Sequence, residues 1–304
     1  MCDGRAAGKA TRGEEAAIPG IFVFYGDVND GMGLWEAVAI GIVQGVTEFL
    51  PISSTAHVTL MGMLVGANPQ AVPQQWTAFL ATIQLGSLAA VLWYFRSDVL
   101  SMTKGAVTGG VDEDGRRLLV CVVAGSIPIG ALGLALRPLV ESSLTKDPLL
   151  IAGALVGVSG LMALAEWANR GQRTLAQIRW RDALLIGAAQ VLALMPGSSR
   201  SGTTIAAAML LGIARRDAAH FSFLLSIPAI AASGLLELNT LLLKLSALGS
   251  WHTFTASFGA AFLSSYAAIS FLLRYLRTHT LWVFIVYRLA LAGALALGYG
   301  LSHQ

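Results

Sequence analysis

The sequence predicts an all-α integral membrane protein, with six transmembrane helices and two re-entrant helix hairpins in an inverted-topology repeat. The first indication is composition: 55% of the 304 residues are hydrophobic and 12% are charged, whereas soluble globular chains carry about 25% charged residues. The second is that several apolar runs approach the roughly 20 residues that cross a bilayer. The third is an internal repeat, in which a pair of short apolar segments precedes three long ones.

The first residues of the chain differ in character from the rest. Residues 1–31 are small, polar and of mixed charge, and are predicted to be a disordered extension without a part in function. The apolar pattern starts at Met32, a candidate for the true start, and residues 32–304 are predicted to form a single membrane domain. The net charge of +3 comes from loop arginines and lysines that membrane topology explains, so we expect no nucleic-acid partner.

Ten apolar segments follow in order. Repeat one, about 34–168, holds a short pair at 34–50 and 55–67 and long segments at 75–95, 116–137 and 148–168. Repeat two, about 180–302, holds a short pair at 183–195 and 203–213 and long segments at 219–242, 252–274 and 281–301. A proline-containing polar turn divides each short pair, which can therefore enter and leave the membrane by one face. Non-helical backbone at membrane depth has to be buried in protein or line a wet cavity.

The two short pairs match each other in sequence. Trp35 matches Trp180 and residues 51–54 match 196–199 at an offset of 145, and residues 41–44 match 187–190 at an offset of 146. Each repeat crosses the membrane three times, so the chain begins the second repeat on the opposite side of the membrane from the first. The second repeat is therefore expected to be inverted relative to the first. Transporter folds with this arrangement place their site where the broken helices converge.

Basic residues predict the orientation. Twelve lie in loops expected on one side, which should be cytoplasmic: Arg96, Lys104, Arg116, Arg117, Arg170, Arg173, Arg179, Arg181, Arg215, Arg216, Arg274 and Arg277. The first hairpin then enters from outside and the second from the cytoplasm.

The first polar turn lies in the stretch QGVTEFLPISSTAH, residues 44–57. Gln44 and Glu48 share one helix face because they are four residues apart. After the proline, a new helix begins near Ser53, Ser54 and Thr55, where free backbone N–H groups point outward.

The second turn, PGSSRSGTT, adds a cation to this pattern. Hydroxyl groups, glycine and helix N–H groups together form a phosphate cradle, and the arginine offers a bidentate fork for phosphate oxygens. The candidate phosphate-binding residues are Ser53, Thr55, Ser198, Ser199, Arg200, Ser201, Gly202 and Thr203.

Structural interpretations compete with these assignments. Ser53 and Thr203 can equally be plain helix caps. Gly41, Gly45 and Gly187 are better explained by close helix contacts. Arg288, inside the last segment, is expected to be a buried structural partner of a carboxylate or a helix end.

The combination of groups indicates phosphoryl transfer. Ser54 could attack phosphorus if His57 removed its proton, although His57 itself or water could also attack. Glu48, with Gln44, offers oxygen ligands for Mg²⁺ or Ca²⁺, and Arg200 would stabilise charge on the transferred group.

These motifs resemble those of the bacterial undecaprenyl-diphosphate phosphatases of the bacitracin-resistance type. QGVTE followed by FLPISSTAH is similar to that family's first signature, and LALMPGSSRSGTTI followed by FSFLLSIPA to its second; the resemblance covers residues 34–302. It implies hydrolysis of undecaprenyl diphosphate to the monophosphate carrier of cell-wall assembly, with a divalent cation, in the bacterial plasma membrane and with the site open to the outside. It also implies catalytic roles for Glu48, Ser54, His57 and Arg200, while Gln44 stands where many members have a glutamate.

A different class of function fits part of the pattern. A transporter or flippase of a phosphorylated polyprenyl lipid or an anion would use the inverted repeat and the phosphate cradle. It would gain nothing from Glu48 beside an anionic substrate, whereas a metal-assisted hydrolase needs that carboxylate. The sequence leaves the oligomeric state open, a homodimer included.

Overall fold

The structure is a computed structural model that describes residues 33–65, 73–107, 112–136, 147–169, 171–248 and 251–302. The predicted extension at 1–31 lies outside these ranges. Eleven α-helices occupy them: α1 Leu34–Phe49, α2 Ser54–Leu64, α3 Pro73–Tyr94, α4 Arg96–Val107, α5 Glu113–Ala135, α6 Pro148–Ala168, α7 Trp180–Gln190, α8 Arg200–Leu210, α9 Arg215–Leu248, α10 Trp251–Tyr275 and α11 Trp282–Ser302. Short 3₁₀ helices cover Leu175–Gln177 and Val191–Leu194.

Each of the ten predicted segments corresponds to a helix, but the expectation that Arg96, Lys104, Arg116 and Arg117 lie in a loop is wrong. The first two lie on α4, and α5 begins early enough to place the last two on a helix. Asp112 connects the two helices, since it accepts hydrogen bonds from the Ser101 hydroxyl (2.7 Å) and the Gly115 N–H (2.8 Å). These two donors hold the pKa of the Asp112 carboxyl below its ordinary value. A polar helix that packs on a neighbour has no long apolar run, so hydropathy does not reveal it.

Among the described residues, five helices are long and apolar enough to cross a membrane: Glu113–Ala135, Pro148–Ala168, the Arg215–Leu235 part of α9, Trp251–Tyr275 and Trp282–Leu301. In α3, the apolar stretch found in the described part is the shorter Ile83–Tyr94. The chain is therefore an all-helical, multi-pass membrane protein.

The two repeats interlock. Helix α1 packs on α10 and α7 packs on α5, so the first short helix of each repeat lies against the second long helix of the other. The pairs α3–α9 and α6–α11 join equivalent helices of the two repeats. Glycines allow the crossed contacts: a Cβ at Gly45 would lie 2.4 Å from the Ala261 carbonyl oxygen, and one at Gly187 would lie 1.9 Å from that of Gly125. The interpretation of these glycines as close helix contacts is confirmed.

The basic loops meet at one end of the helix bundle. Glu166, at the end of α6, binds Arg215 at 2.5 Å and accepts a hydrogen bond from the Leu281 N–H at 2.7 Å. The backbone of Arg173 is hydrogen-bonded to Gly212, which follows α8, and this links the segments before α7 and after α8. The α7–α8 pair thus begins and ends at the same end of the bundle, the basic end.

Candidate active site

Two serines with left-handed backbone mark the two polar turns. Ser53 (φ 77°) directly precedes α2, and Ser199 (φ 66°) directly precedes α8. These serines are equivalent at an offset of 146, so the second turn is one residue longer than the first, and Gly197 (φ 93°) lies in it. Before that turn, the second repeat is one residue shorter than the first. The 3₁₀ helix after α7 covers the same distance with fewer residues, because it rises about 2.0 Å per residue whereas an α-helix rises 1.5 Å. The two changes explain why the prolines match at an offset of 145 between the flanking residues Gln44 and Ser53, which match at 146.

The carboxylate of Glu48 connects the two hairpins. One of its oxygens contacts the Arg200 guanidinium, and the other accepts a hydrogen bond from Gln44 Nε2 at 2.9 Å. Glu48 and Gln44 are buried, so the charge of Glu48 is balanced by Arg200 and a directed donor rather than by water. The structure therefore brings together the acid of the first predicted motif and the cation of the second, which are 152 residues apart in the chain.

His57 is held from both sides of its ring. Nδ1 lies 2.7 Å from the Ser53 carbonyl oxygen and Nε2 lies 2.5 Å from the Tyr287 hydroxyl of α11, whose ring stacks on the imidazole at a centroid distance of 5.5 Å. A carbonyl oxygen only accepts, so Nδ1 carries the proton of the neutral ring and Nε2 accepts from Tyr287. Neither ring nitrogen is bonded to Ser54.

Tyr287 was not found by sequence analysis. An aromatic residue in an apolar segment is ordinary in a membrane helix, and the only local signal was its neighbour Arg288.

Around the start of α8, some polar groups are already hydrogen-bonded within the protein, and others could still bind a phosphate. The Ser199 hydroxyl caps the helix by accepting from the Gly202 N–H at 3.2 Å. Ser201 Oγ donates to the Leu50 carbonyl at 3.1 Å, and the buried Thr203 hydroxyl bonds to the Arg200 carbonyl at 2.9 Å. The first-turn N–H groups of Arg200 and Ser201 remain without an intrahelical acceptor. A phosphate would meet these two N–H groups together with the Arg200 side chain.

The start of α2 is more open. Ser54 is half-buried and Thr55 is exposed, and within the described residues the Ser54 hydroxyl has no hydrogen-bond partner. The first-turn N–H groups of α2 likewise have no acceptor within the helix.

Arg288 ties the two turns together. It is fully buried and donates to the carbonyls of Pro51 (3.3 Å) in the first turn and of Gly197 (3.1 Å) and Ser198 (3.2 Å) in the second. It also binds Ser159 Oγ at 3.2 Å and the Leu155 carbonyl at 3.3 Å, both on α6. The expectation of a buried structural partner is confirmed, and of its two alternatives the structure shows the helix end: Arg288 binds carbonyl oxygens left free where the helices break.

The donor set for a divalent cation is small. Both Glu48 oxygens have partners, and within the residues the structure describes no group of three or more His, Cys, Asp or Glu side chains could hold a metal ion. One carboxylate and one amide do not form a protein cage, but they fit a Mg²⁺-type ion that takes most of its ligands from substrate phosphates and water.

The repeats are unequal at the site itself. Gln190 is the counterpart of Gln44 and is fully buried, but both of its amide atoms lack a partner in the described structure. At the same offset of 146, the second repeat has Leu194 where the first repeat has Glu48. Conversely, the first repeat has Ser54 where the second repeat has Arg200. The first repeat therefore supplies the acid and an available hydroxyl, and the second repeat supplies the cation.

Comparison with known proteins identifies the family of this chain. Residues 37–294 match the family model described as bacitracin resistance protein BacA. The undecaprenyl-diphosphatase of Syntrophobacter fumaroxidans is 44% identical over 275 residues, covering 87% of this chain and 96% of that protein. The enzyme of Myxococcus xanthus is 44% identical over 269 residues, which cover 86% of this chain and 87% of that protein. The enzyme of Gloeobacter violaceus is 44% identical over 274 residues, which cover 88% of this chain and 92% of that protein. With a family match over most of its length and relatives that cover almost the same span, the chain belongs to the bacitracin resistance protein BacA family.

Proposed function

We propose that this protein hydrolyses undecaprenyl diphosphate to undecaprenyl phosphate and inorganic phosphate. The reaction returns the lipid carrier to peptidoglycan and other cell-wall synthesis and confers resistance to bacitracin. The observation that carries the proposal is the contact of Glu48 with Arg200, which brings a carboxylate and a cation suited to phosphate together at the first residue of α8. The names of the relatives, undecaprenyl-diphosphatase, support the same substrate and reaction.

Substrate binding uses the second hairpin. The diphosphate competes with Glu48 for Arg200 and takes the first-turn N–H groups of α8, where the helix dipole favours negative charge. Ser198, Ser199 and Ser201 line the turn, and Ser53 and Thr55 border it from the first hairpin. The isoprenyl chain extends between helices into the bilayer.

Attack on phosphorus comes from the first hairpin. Ser54 Oγ attacks the terminal phosphorus, its proton passes to His57 Nε2, and the bond from phosphorus to the bridging oxygen breaks to release undecaprenyl phosphate. The Tyr287 hydroxyl has to release His57 Nε2 at this step, since it occupies that nitrogen in the unbound site. Water then cleaves the phosphoserine and releases inorganic phosphate. The unpartnered Ser54 hydroxyl supports this order over direct attack by water.

Glu48, with Gln44 beside it, is the group that would hold a Mg²⁺ or Ca²⁺ ion together with diphosphate oxygens. A bound ion there would neutralise charge that develops on the bridging and terminal oxygens. Arg200, released from Glu48, would then be free to bind the terminal phosphate.

The membrane arrangement belongs to the same proposal. Six helices cross the bacterial plasma membrane, and the α1–α2 and α7–α8 pairs enter from opposite faces and leave by the face they entered. The basic end faces the cytoplasm, and the site opens outward. The crossed packing of the repeats and the return of α8 to the start of α7 support this arrangement.

Phosphate release from a C55 isoprenyl diphosphate by the purified protein in detergent tests the proposal. We expect release that stops with a chelator and is lost by at least about a hundredfold in Glu48→Ala and Arg200→Ala, because each removes charge stabilisation from the transition state. Arg216→Ala, exposed at the start of α9, is the matched control and should act like the parent. Full release by both site variants would refute the site, and a folded parent that releases no phosphate would favour the carrier alternative.

A further inference from the structure

A cavity lies between the N-terminal ends of α5 and α7. It has a volume of about 400 Å³, and its lining includes Glu113, Arg116, Arg117, Val120, Arg179 and Trp180. Helix α7 runs from this cavity toward the second polar turn over 11 residues, or about 16 Å. The cavity is thus at the far end of the hairpin from Arg200 and has no part in the proposed hydrolysis.

Two of the three arginines that line this cavity have no carboxylate partner among the described residues. Arg116 and Arg179 are exposed, and neither makes an ion pair within the described part of the chain. Arg117 is held in place by the Leu175 and Ile178 carbonyls, each at 3.2 Å, and by Asp114 at 3.3 Å.

The acids nearby do not cancel this charge. Glu113 is exposed and Asp114 is shared with Arg117, while Asp182 is already bound by Arg173 at 2.5 Å. Arg181 adds a further cation, over the Trp180 ring at 5.3 Å. The cavity therefore carries a surplus of positive charge that an anion would satisfy.

An apolar strip continues from the cavity along the bundle. On α5 the exposed residues Val120 (47%), Val123 (54%) and Ile127 (59%) follow one helix face, and on α7 Leu185 is 57% exposed. Trp180, 51% exposed, stands where the strip meets the arginines. A tryptophan beside arginines at the start of an apolar helix face is typical of the level of lipid headgroups.

From this combination we propose that the cavity binds the phosphate headgroup of an anionic phospholipid, whose acyl chains lie along the exposed faces of α5 and α7. Arg116 and Arg179 bind the phosphate, Arg117 fixes the floor of the cavity, and Trp180 packs against the glycerol region. A free phosphate would satisfy the arginines but not the apolar strip that begins with Val120, so the occupant is a lipid. Basic pockets between membrane helices bind anionic headgroups by the same attraction.

Lipid retention measured by native mass spectrometry tests this site. The full chain in detergent is titrated with phosphatidylglycerol and with phosphatidylcholine of the same acyl chains. Arg116→Gln/Arg179→Gln should weaken phosphatidylglycerol binding by about tenfold or more, because each arginine near an anionic headgroup contributes roughly 1 kcal/mol. The matched control is Arg216→Gln/Arg277→Gln, which removes the same charge from exposed positions of the same end and should stay within about twofold of the parent.

Three results would overturn the proposal. They are an equal loss in both double variants, equal retention of the two lipids by the parent, and displacement of phosphatidylglycerol by water-soluble glycerol phosphate at equal concentration. The last would assign the cavity to a free phosphate. Thermal unfolding without added lipid should be the same for both double variants, which separates lost binding from lost folding.

Discussion

Tyr287 determines the state of the imidazole that is proposed to take a proton. Its hydroxyl donates to His57 Nε2 while the Ser53 carbonyl fixes the proton on Nδ1. The ring is therefore held in one tautomer and one orientation before substrate arrives. This is a positioning role, since Tyr287 acts through His57 rather than on phosphorus.

Replacement of this tyrosine should slow turnover without weakening substrate binding. Tyr287→Phe keeps the stacked ring and removes one hydrogen bond, so we expect kcat to fall about tenfold with KM almost unchanged, and the pH profile of kcat to move. Steady-state phosphate release between pH 5 and 9 measures both. Tyr266→Phe, a hydroxyl removed from a ring that packs on Tyr94, is the control. An unchanged pH profile in Tyr287→Phe would show that the contact only packs the helices.

Between helices, the glycine contacts set how closely the hairpins approach the bundle. Each repeat has such a contact on its first short helix, for example at Gly45 against α10 and at Gly187 against α5. Both lie on the short helices that end at the polar turns, so their spacing controls where the turns meet.

An added methyl group at this contact should be costly. Gly187→Ala puts a Cβ 1.9 Å from the Gly125 carbonyl oxygen, and the helices have to separate at a cost of about 1–3 kcal/mol. Thermal unfolding in detergent should show a melting temperature lower by several degrees, with reduced activity. Gly157→Ala in α6, where nothing lies within 4 Å of the added atom, should leave the melting temperature unchanged or higher. Equal melting temperatures for the two variants would contradict the close contact.

At the basic end, Glu166 connects three helices. It ends α6, binds Arg215 at the start of α9 and accepts from the Leu281 N–H before α11. Its side chain is 2% exposed, compared with 89% for Asp114 in its ion pair with Arg117. The two ion pairs should therefore differ greatly in their effect on stability.

Removal of the buried charge tests this difference. Glu166→Gln leaves Arg215 without its carboxylate, and we expect a loss of roughly 3–5 kcal/mol in folding free energy. Asp114→Asn should change it by less than about 1 kcal/mol, because the pair is exposed to solvent. Chemical denaturation followed by tryptophan fluorescence compares the two. If Glu166→Gln lost no more folding free energy than Asp114→Asn, the buried Glu166–Arg215 ion pair would contribute little to stability.

For the molecule as a whole, orientation in the membrane can be measured directly. In a background of Cys2→Ser and Cys121→Ala, single cysteines replace His252, near the start of α10, and Thr278, just beyond its end; the 25 residues of this helix span about 37 Å. A membrane-impermeant maleimide should label His252→Cys in right-side-out vesicles and Thr278→Cys in inside-out vesicles. The reverse pattern would place the basic end outside and contradict the proposed orientation.

The site exists only in the complete molecule. Glu48 and Ser54 come from the first repeat, Arg200 from the second, and Tyr287 and Arg288 from the last helix. Neither repeat contains both charges, and Arg288 holds the two turns together through backbone carbonyls of each. Crossed packing of the hairpins is what brings these parts to one point.

The sequence alone predicted the apolar helices, the two broken hairpins, their repeat relation and the residues Glu48, His57 and Arg200. These features are local, or depend on periodicity and on the rarity of ionisable groups in apolar segments, so they can be identified without tertiary structure. Helix α4 was not predicted, because its short, polar sequence has no strong period.

Tertiary structure decided which groups face each other. It showed that Arg200 contacts Glu48, that Thr203 bonds within its own helix, that Tyr287 holds His57, and that Arg288 binds carbonyls instead of a carboxylate. Each of these contacts, apart from that of Thr203, joins residues at least 90 positions apart in the chain. No helical or strand period relates such residues, so only the packing of the helices determines which of them meet.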